Sequence, residues 1–141
     1  MKRAMLTSIV VLSWISGEAM AVCSPPYQNE TWLKSNLPGK TVCSPAGCSG
    51  SSCKWQEHHE GSTGTTTGRL LEWGPAGPGE PVGTWTISPA SPSRGILPKV
   101  IHSYGSNSYP YDVKDNGGTY SFCGPNGEFP FSIRPGIGAC P

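Results

Sequence analysis

Glu57-His58-His59-Glu60 is the run of residues in this chain that most invites chemistry. Imidazoles beside carboxylates can move protons near neutral pH or bind a transition metal. Their spacing limits what they can do together. On a strand, successive side chains point to opposite faces, so His58 and His59 cannot easily chelate one ion. The same-face pairs are Glu57 with His59 and His58 with Glu60. No His-Glu-x-x-His pattern offers the helical zinc arrangement. His102 is the third histidine, and only the fold can bring it to either pair. The catalytic candidates are therefore Glu57, His59 and His102. The competing reading, which the residue types favour, is a polar strand facing solvent.

Other routes to catalysis have less behind them. No Gly-x-Ser-x-Gly elbow occurs among the many serines. A two-carboxylate glycosidase would have to choose from Glu57, Glu60, Glu72, Asp112, Asp115 and Glu128, and nothing in the spacing selects a pair. Asp115 is more simply a turn residue and Glu128 a charge at a strand start. Cys43, Cys48 and Cys53 are spaced too widely for a usual zinc pair, and there is no Cys-x-x-Cys. No metal and no cofactor is expected. Aromatic side chains are the remaining lead, since they join flat apolar faces to a polar edge. Trp55, Trp73, Tyr109 and Tyr111 are the binding candidates, for a protein or glycan ligand. Trp85, Tyr120, Phe122, Phe129 and Phe131 read as core.

The elements that must position these groups are short strands. Residues 109–133 alternate apolar and polar side chains in three runs, reversed by Asp115-Asn116-Gly117-Gly118 and Pro125-Asn126-Gly127. Upstream, strands are expected at 39–43, 53–60, 69–73, 82–87 and 97–104. Gly61–Gly68 forms a hairpin tip, and the proline-rich Gly74–Pro81 stays out of any ladder. Glu30–Asn36 is a short helix ended by Leu37-Pro38-Gly39. The fold class is all-β, a small antiparallel meander of about seven or eight short strands forming a barrel or sandwich. Tyr109-Pro110-Tyr111 reads as an edge strand or bulge open to a partner.

Residues 1–21 read as a signal peptide of bacterial type. Lys2 and Arg3 precede an apolar run too short to span a bilayer, and Ala19-Met20-Ala21 matches a signal-peptidase site. Residues 22–141 then form a single β domain, with a cysteine-rich segment at 22–52 and the meander at 53–141. The expected location is secreted or periplasmic, with no membrane insertion after cleavage. Of ten basic and nine acidic side chains, the signal holds Lys2, Arg3 and Glu18, which leaves eight of each. A chain without net charge or basic patch has no means of displacing phosphate counterions, so nucleic acid is excluded as a partner.

All six cysteines, Cys23, Cys43, Cys48, Cys53, Cys123 and Cys140, follow the cleavage site and are expected to form disulfides. Six cysteines allow 15 connectivities. The expected pairing joins Cys123 to Cys140, worth roughly 3 kcal/mol by chain entropy. The other four, between residues 23 and 53, are expected to pair among themselves.

Gly39-Lys40-Thr41-Val42-Cys43, followed by Val82-Gly83-Thr84-Trp85, resembles the layout of small exported bacterial β-meander proteins that are lipocalin-like in outline. The Gly-x-Trp stands mid-chain here, where lipocalins carry it on their first strand. The resemblance implies a fold and no particular activity. The leading functional expectation is a binding, interaction or structural module without catalysis, acting through its surface. The alternatives are a small secreted hydrolase using Glu57, His59 or His102, and a secreted enzyme inhibitor presenting a Pro/Gly loop.

Overall fold

In the computed structural model, which describes residues 23–73 and 79–141, eight antiparallel strands close into a barrel in strict chain order. They are β1 (Lys40–Ser44), β2 (Trp55–His59), β3 (Thr67–Glu72), β4 (Glu80–Ser88), β5 (Lys99–Tyr104), β6 (Asn107–Asp115), β7 (Tyr120–Gly124) and β8 (Gly127–Pro135). Closure comes from β1 pairing β8, with Lys40 opposite Pro135 and Cys43 opposite Ser132. Barrel is thereby chosen over sandwich. The expected signal sequence and most of the Gly74–Pro81 loop lie outside the described residues.

Closure corrects the reading of Tyr109-Pro110-Tyr111 as an open edge. Strand β6 pairs β5 along one side, with Pro110 opposite Ile101, and β7 along the other. The missing Pro110 amide does no harm because the β6–β7 ladder begins only at Asp112. Pro81 is a second correction. It falls within β4, opposite Leu71, beside the register shift at Leu70/Leu71 that spares the ladder a donor.

One end of the barrel is plugged. Helix α1 (Glu30–Asn36) is capped by Asn29, whose side chain accepts from the Trp32 amide. Its Leu33, and Leu37 just beyond it, are fully buried in the core. The Trp32 ring meets Tyr120 at the start of β7, 4.6 Å between centroids. Above the plug, Val42, Trp85, Phe122 and Phe131 fill the middle of the barrel, each almost wholly buried. Phe122 and Phe131 stack at 4.1 Å. Trp85 lies across Gly68, where a Cβ would stand 2.8 Å from the indole nitrogen, and donates to the Glu60 carbonyl at 3.1 Å. Burying side chains of this size contributes about 1.5–3 kcal/mol each.

The disulfides are Cys23–Cys123, Cys43–Cys140 and Cys48–Cys53. The expected Cys123–Cys140 bond is therefore wrong, and the expected pairing of the first four cysteines among themselves holds only for Cys48–Cys53, since Cys23 and Cys43 bond to Cys123 and Cys140. The reason lies in barrel closure. Because β1 lies beside β8, the tail after β8 runs back over the outer face of β1 and β2. There the Gln56 side chain accepts from the Cys140 amide at 2.8 Å, and Cys140 meets Cys43. The N-terminal segment lies along β6, where the Gln28 amide donates to the Val113 carbonyl and the Asp115 amide to the Pro26 carbonyl. That places Cys23 against Cys123 on the neighbouring strand. Only Cys48–Cys53 is local.

In the chain-entropy account, a bond closing about 100 residues is worth about 4.7 kcal/mol, and one closing about five residues roughly half as much. C43A/C140A should therefore lower unfolding stability about twice as far as C48A/C53A, read by denaturant titration of the oxidised proteins. Equal losses would contradict this connectivity.

Candidate functional site

Above the middle layer the barrel opens into a cavity of about 630 Å³. Its wall comes from the ends of strands that meet at the unplugged mouth. Trp55 and Glu57 stand on β2, Tyr104 on β5, Tyr109 and Tyr111 on β6, and Phe129 on β8. Ser44, Lys54, Asn126 and Glu128 complete the rim with Pro45 and Pro130. The two-residue period of each strand sends these side chains inward. The same period puts the small Gly124 inward on β7. A Cβ there would stand 2.8 Å from the Tyr111 ring, so glycine leaves that ring its place.

Glu57 is the buried acid of this wall, 3% exposed. The Tyr104 hydroxyl lies 2.7 and 2.9 Å from its two oxygens, and Trp55 Nε1 donates to Oε2. Desolvation dominates its ionisation, and Glu72, opposite it on β3, adds repulsion. The hydrogen bonds from Trp55 and Tyr104 oppose both but do not prevail, and the carboxyl is raised to about 7. Burial and the adjoining Glu57 carboxyl push the Tyr104 hydroxyl up, so Tyr104 remains a donor.

Beneath the cavity floor, His59 and His102 reach across the barrel from β2 and β5. Their Nε2 atoms are 2.9 Å apart, and both rings are fully buried. One imidazole donates and the other accepts, so a neutral pair shares one proton along that line. Neither Nδ1 has a partner among the described residues. Burial pushes His59 well below its ordinary range and His102 down to about 3, which keeps the pair uncharged at neutral pH. The His102 ring touches both walls of the cavity base, 5.7 Å from Trp55 and 5.4 Å from Tyr111 between centroids.

The expected solvent-facing polar strand is thus corrected, because Gln56, Glu57, His58 and His59 are all buried. Glu57 and His59 face inward together. His58 faces outward but is covered by the C-terminal tail. Thr41 donates its hydroxyl proton to the Gly136 carbonyl at 2.9 Å, so its lone pairs face His58 Nδ1 at 3.2 Å and that nitrogen carries the hydrogen. Glu60, the other outward residue, pairs with Arg69 at the surface.

Of the binding candidates, Trp55, Tyr109 and Tyr111 line the cavity. Trp73 does not; it packs over Gly79 just beyond the mouth of β3 and β4. Phe129, read as core, is a wall residue instead. Tyr104, one of the chain's aromatic side chains but not among the binding candidates, also lines the cavity, and its place two residues beyond inward His102 on one strand is the signal for it. Among the described residues, one group of metal-type ligands occurs, Cys23, Cys123 and Glu128, and both of its sulfurs are tied in a disulfide. The chain matches no family model, no curated protein and no solved structure.

Two pH effects of opposite sign follow. Glu57 has a folded value near 7 against an ordinary 4.5, so the folded state holds the extra proton between those values. Its contribution is present at low pH and lost as pH rises through about 7, on the order of 3 kcal/mol at about 1.4 kcal/mol per unit. Relative to the wild type, E57Q should gain stability as pH is raised from 4.5 to 8, measured by denaturant unfolding at each pH. A constant difference would contradict the assignment. The histidine pair is depressed, so the unfolded chain takes up protons first and stability falls as pH drops below about 6.5. H59L/H102L replaces both polar partners by apolar groups of similar size. Its acid-unfolding midpoint should move to lower pH, and an unchanged midpoint would show that the pair does not govern acid sensitivity.

Proposed function

We propose that this protein is an exported small-molecule-handling barrel whose site is the mouth cavity, with Glu57 as the polar group its ligand meets. The observation carrying this reading is one buried, ionisable carboxyl set in an otherwise largely aromatic cavity open to solvent. Eight-stranded barrels have interiors that are either filled or hold one small ligand, and here the plugged end is filled while the other is open. The preference moves the site from the surface loops to the inside of the barrel. Export is supported by three disulfides in one short chain, which persist in an oxidising compartment. Among the described residues no helix is long and apolar enough to cross a membrane.

A second reading, hydrolysis, is favoured by the gathering of Glu57, His59 and His102 inside one barrel. Glu57 would be the acid–base group, since a carboxyl poised near 7 can give and take a proton at neutral pH. His59 and His102 are sealed beneath the floor and would position Trp55 and Tyr111 without touching substrate.

Ligand-observed and amide NMR with a panel of small soluble aromatics, alcohols, sugars and amines tests the first reading. Shifts centred on Trp55, Tyr104, Tyr109 and Phe129 are expected, and shifts confined to the loops would overturn it. Chromogenic esters and glycosides test the second. Turnover should titrate near pH 7 and fall at least a hundredfold in E57Q. Turnover indifferent to E57Q would remove that reading and leave the first intact.

A further inference from the structure

The geometry points to an organic cation, specifically a substituted ammonium group, as the ligand of the mouth cavity, held by aromatic faces over the Glu57 carboxylate. This inference rests on the cavity being the site.

Three observations carry it. The first is the kind of wall. Rings of Trp55, Tyr104, Tyr109, Tyr111 and Phe129 surround one space, with Tyr104 and Tyr109 centroids 6.1 Å apart and Tyr111 edge-on to Phe129 at 6.0 Å. Aromatic faces carry negative potential and attract a cation within about 6 Å, more strongly where water is excluded.

The second is charge. Glu57 and Glu128 line the cavity against Lys54, and Glu72 stands opposite Glu57 on the neighbouring strand. Lys54 and Glu128 are exposed at the rim, whereas Glu57 is buried, so the charge met at depth is negative. An anionic ligand would be repelled by that carboxylate, a neutral one would leave the carboxyl to hold its proton, and a cation balances the carboxylate.

The third is how Glu57 is already occupied. Its oxygens accept from Trp55 and Tyr104, which leaves few lone pairs for a ligand that must donate several hydrogen bonds. A primary ammonium with three donors would have to share the remaining Glu57 lone pairs with the Tyr104 and Tyr111 hydroxyl oxygens, because Ser44, Asn126 and Glu128 stand at the rim. A methylated ammonium asks for charge and apolar contact without donors, and this wall supplies both.

Binding also couples to protonation. The groups facing Glu57 are Trp55 beside it, Glu72 from β3, Tyr104 from β5 and Tyr111 from β6. None of these is cationic, and His102 beneath them is neutral. A bound cation would stabilise the carboxylate, so affinity should be full above pH 7 and weaken as pH falls through it.

The experiment compares choline with 3,3-dimethylbutan-1-ol, its neutral isostere, on the full oxidised protein by calorimetry and amide NMR. Choline should bind at least about tenfold more tightly than the alcohol at pH 8 and lose that margin at pH 5.5. E57Q should remove about tenfold of choline affinity while leaving the alcohol unchanged. F129L, a change in the aromatic wall that leaves the buried carboxyl and its partners in place, should weaken choline about threefold and the alcohol little. Equal binding of the two probes, or tighter binding of the alcohol, overturns the cation while the cavity reading stands. Failure of both to shift cavity resonances overturns the cation too, and the broader ligand panel then decides whether the cavity is a site at all.

Discussion

Pairing of β1 with β8 is the constraint on which the remaining structure depends. It removes both sheet edges at once, so every strand has two neighbours and the inward face becomes an enclosed space. A sheet left open at that seam would expose Glu57 and the two inward histidines to water. The same seam brings the tail beside Cys43, covers His58 and Gln56, and makes the Cys43–Cys140 bond possible. A chain rich in glycine and proline, with few Leu, Ile or Val, holds its barrel through aromatic packing inside and long-range cross-links outside.

Closure also divides the interior by chemistry. The plugged end is apolar, packed by Leu33, Leu37, Val100 and Val113. The middle carries a neutral imidazole pair among aromatic rings, and the open end carries a carboxyl. Placing polar groups at these depths opposes folding, since a buried carboxylate and two unpartnered imidazole nitrogens gain less from the protein than from water. Packing and cross-links offset that loss. A mouth built of the same aromatics without Glu57 would be the simpler solution for stability alone, so the carboxyl is the feature that most needs a functional explanation.

Much of the fold was legible because period-two alternation and glycine turns are local signals. The helix at Glu30–Asn36, the strand order and the turn in which Asp115 accepts from the Gly117 amide all follow from neighbours in sequence. What was not legible is non-local. Pairing Cys23 with Cys123 requires knowing that the N-terminal segment lies along β6. The burial of Glu57-His58-His59 requires knowing that a tail about 80 residues later covers one face and that closure encloses the other. Glu57 and His59 were correctly placed on a common face, but residue type argued for the wrong environment. Tyr104 shares a face with His102 by strand period alone, but that register points to a cavity only once the mouth of the barrel is assembled around it.

The most direct test is the titration of the Glu57 side-chain carboxyl by NMR in the folded, oxidised protein, because every functional statement rests on a buried, ionisable group at the base of an aromatic cavity. Its carbon resonance should titrate with a midpoint near 7 and should perturb Trp55 and Tyr104 as it does so. A midpoint near the ordinary 4.5, with Trp55 and Tyr104 unmoved, would mean that the carboxyl is solvated and that the cavity described here is not its environment.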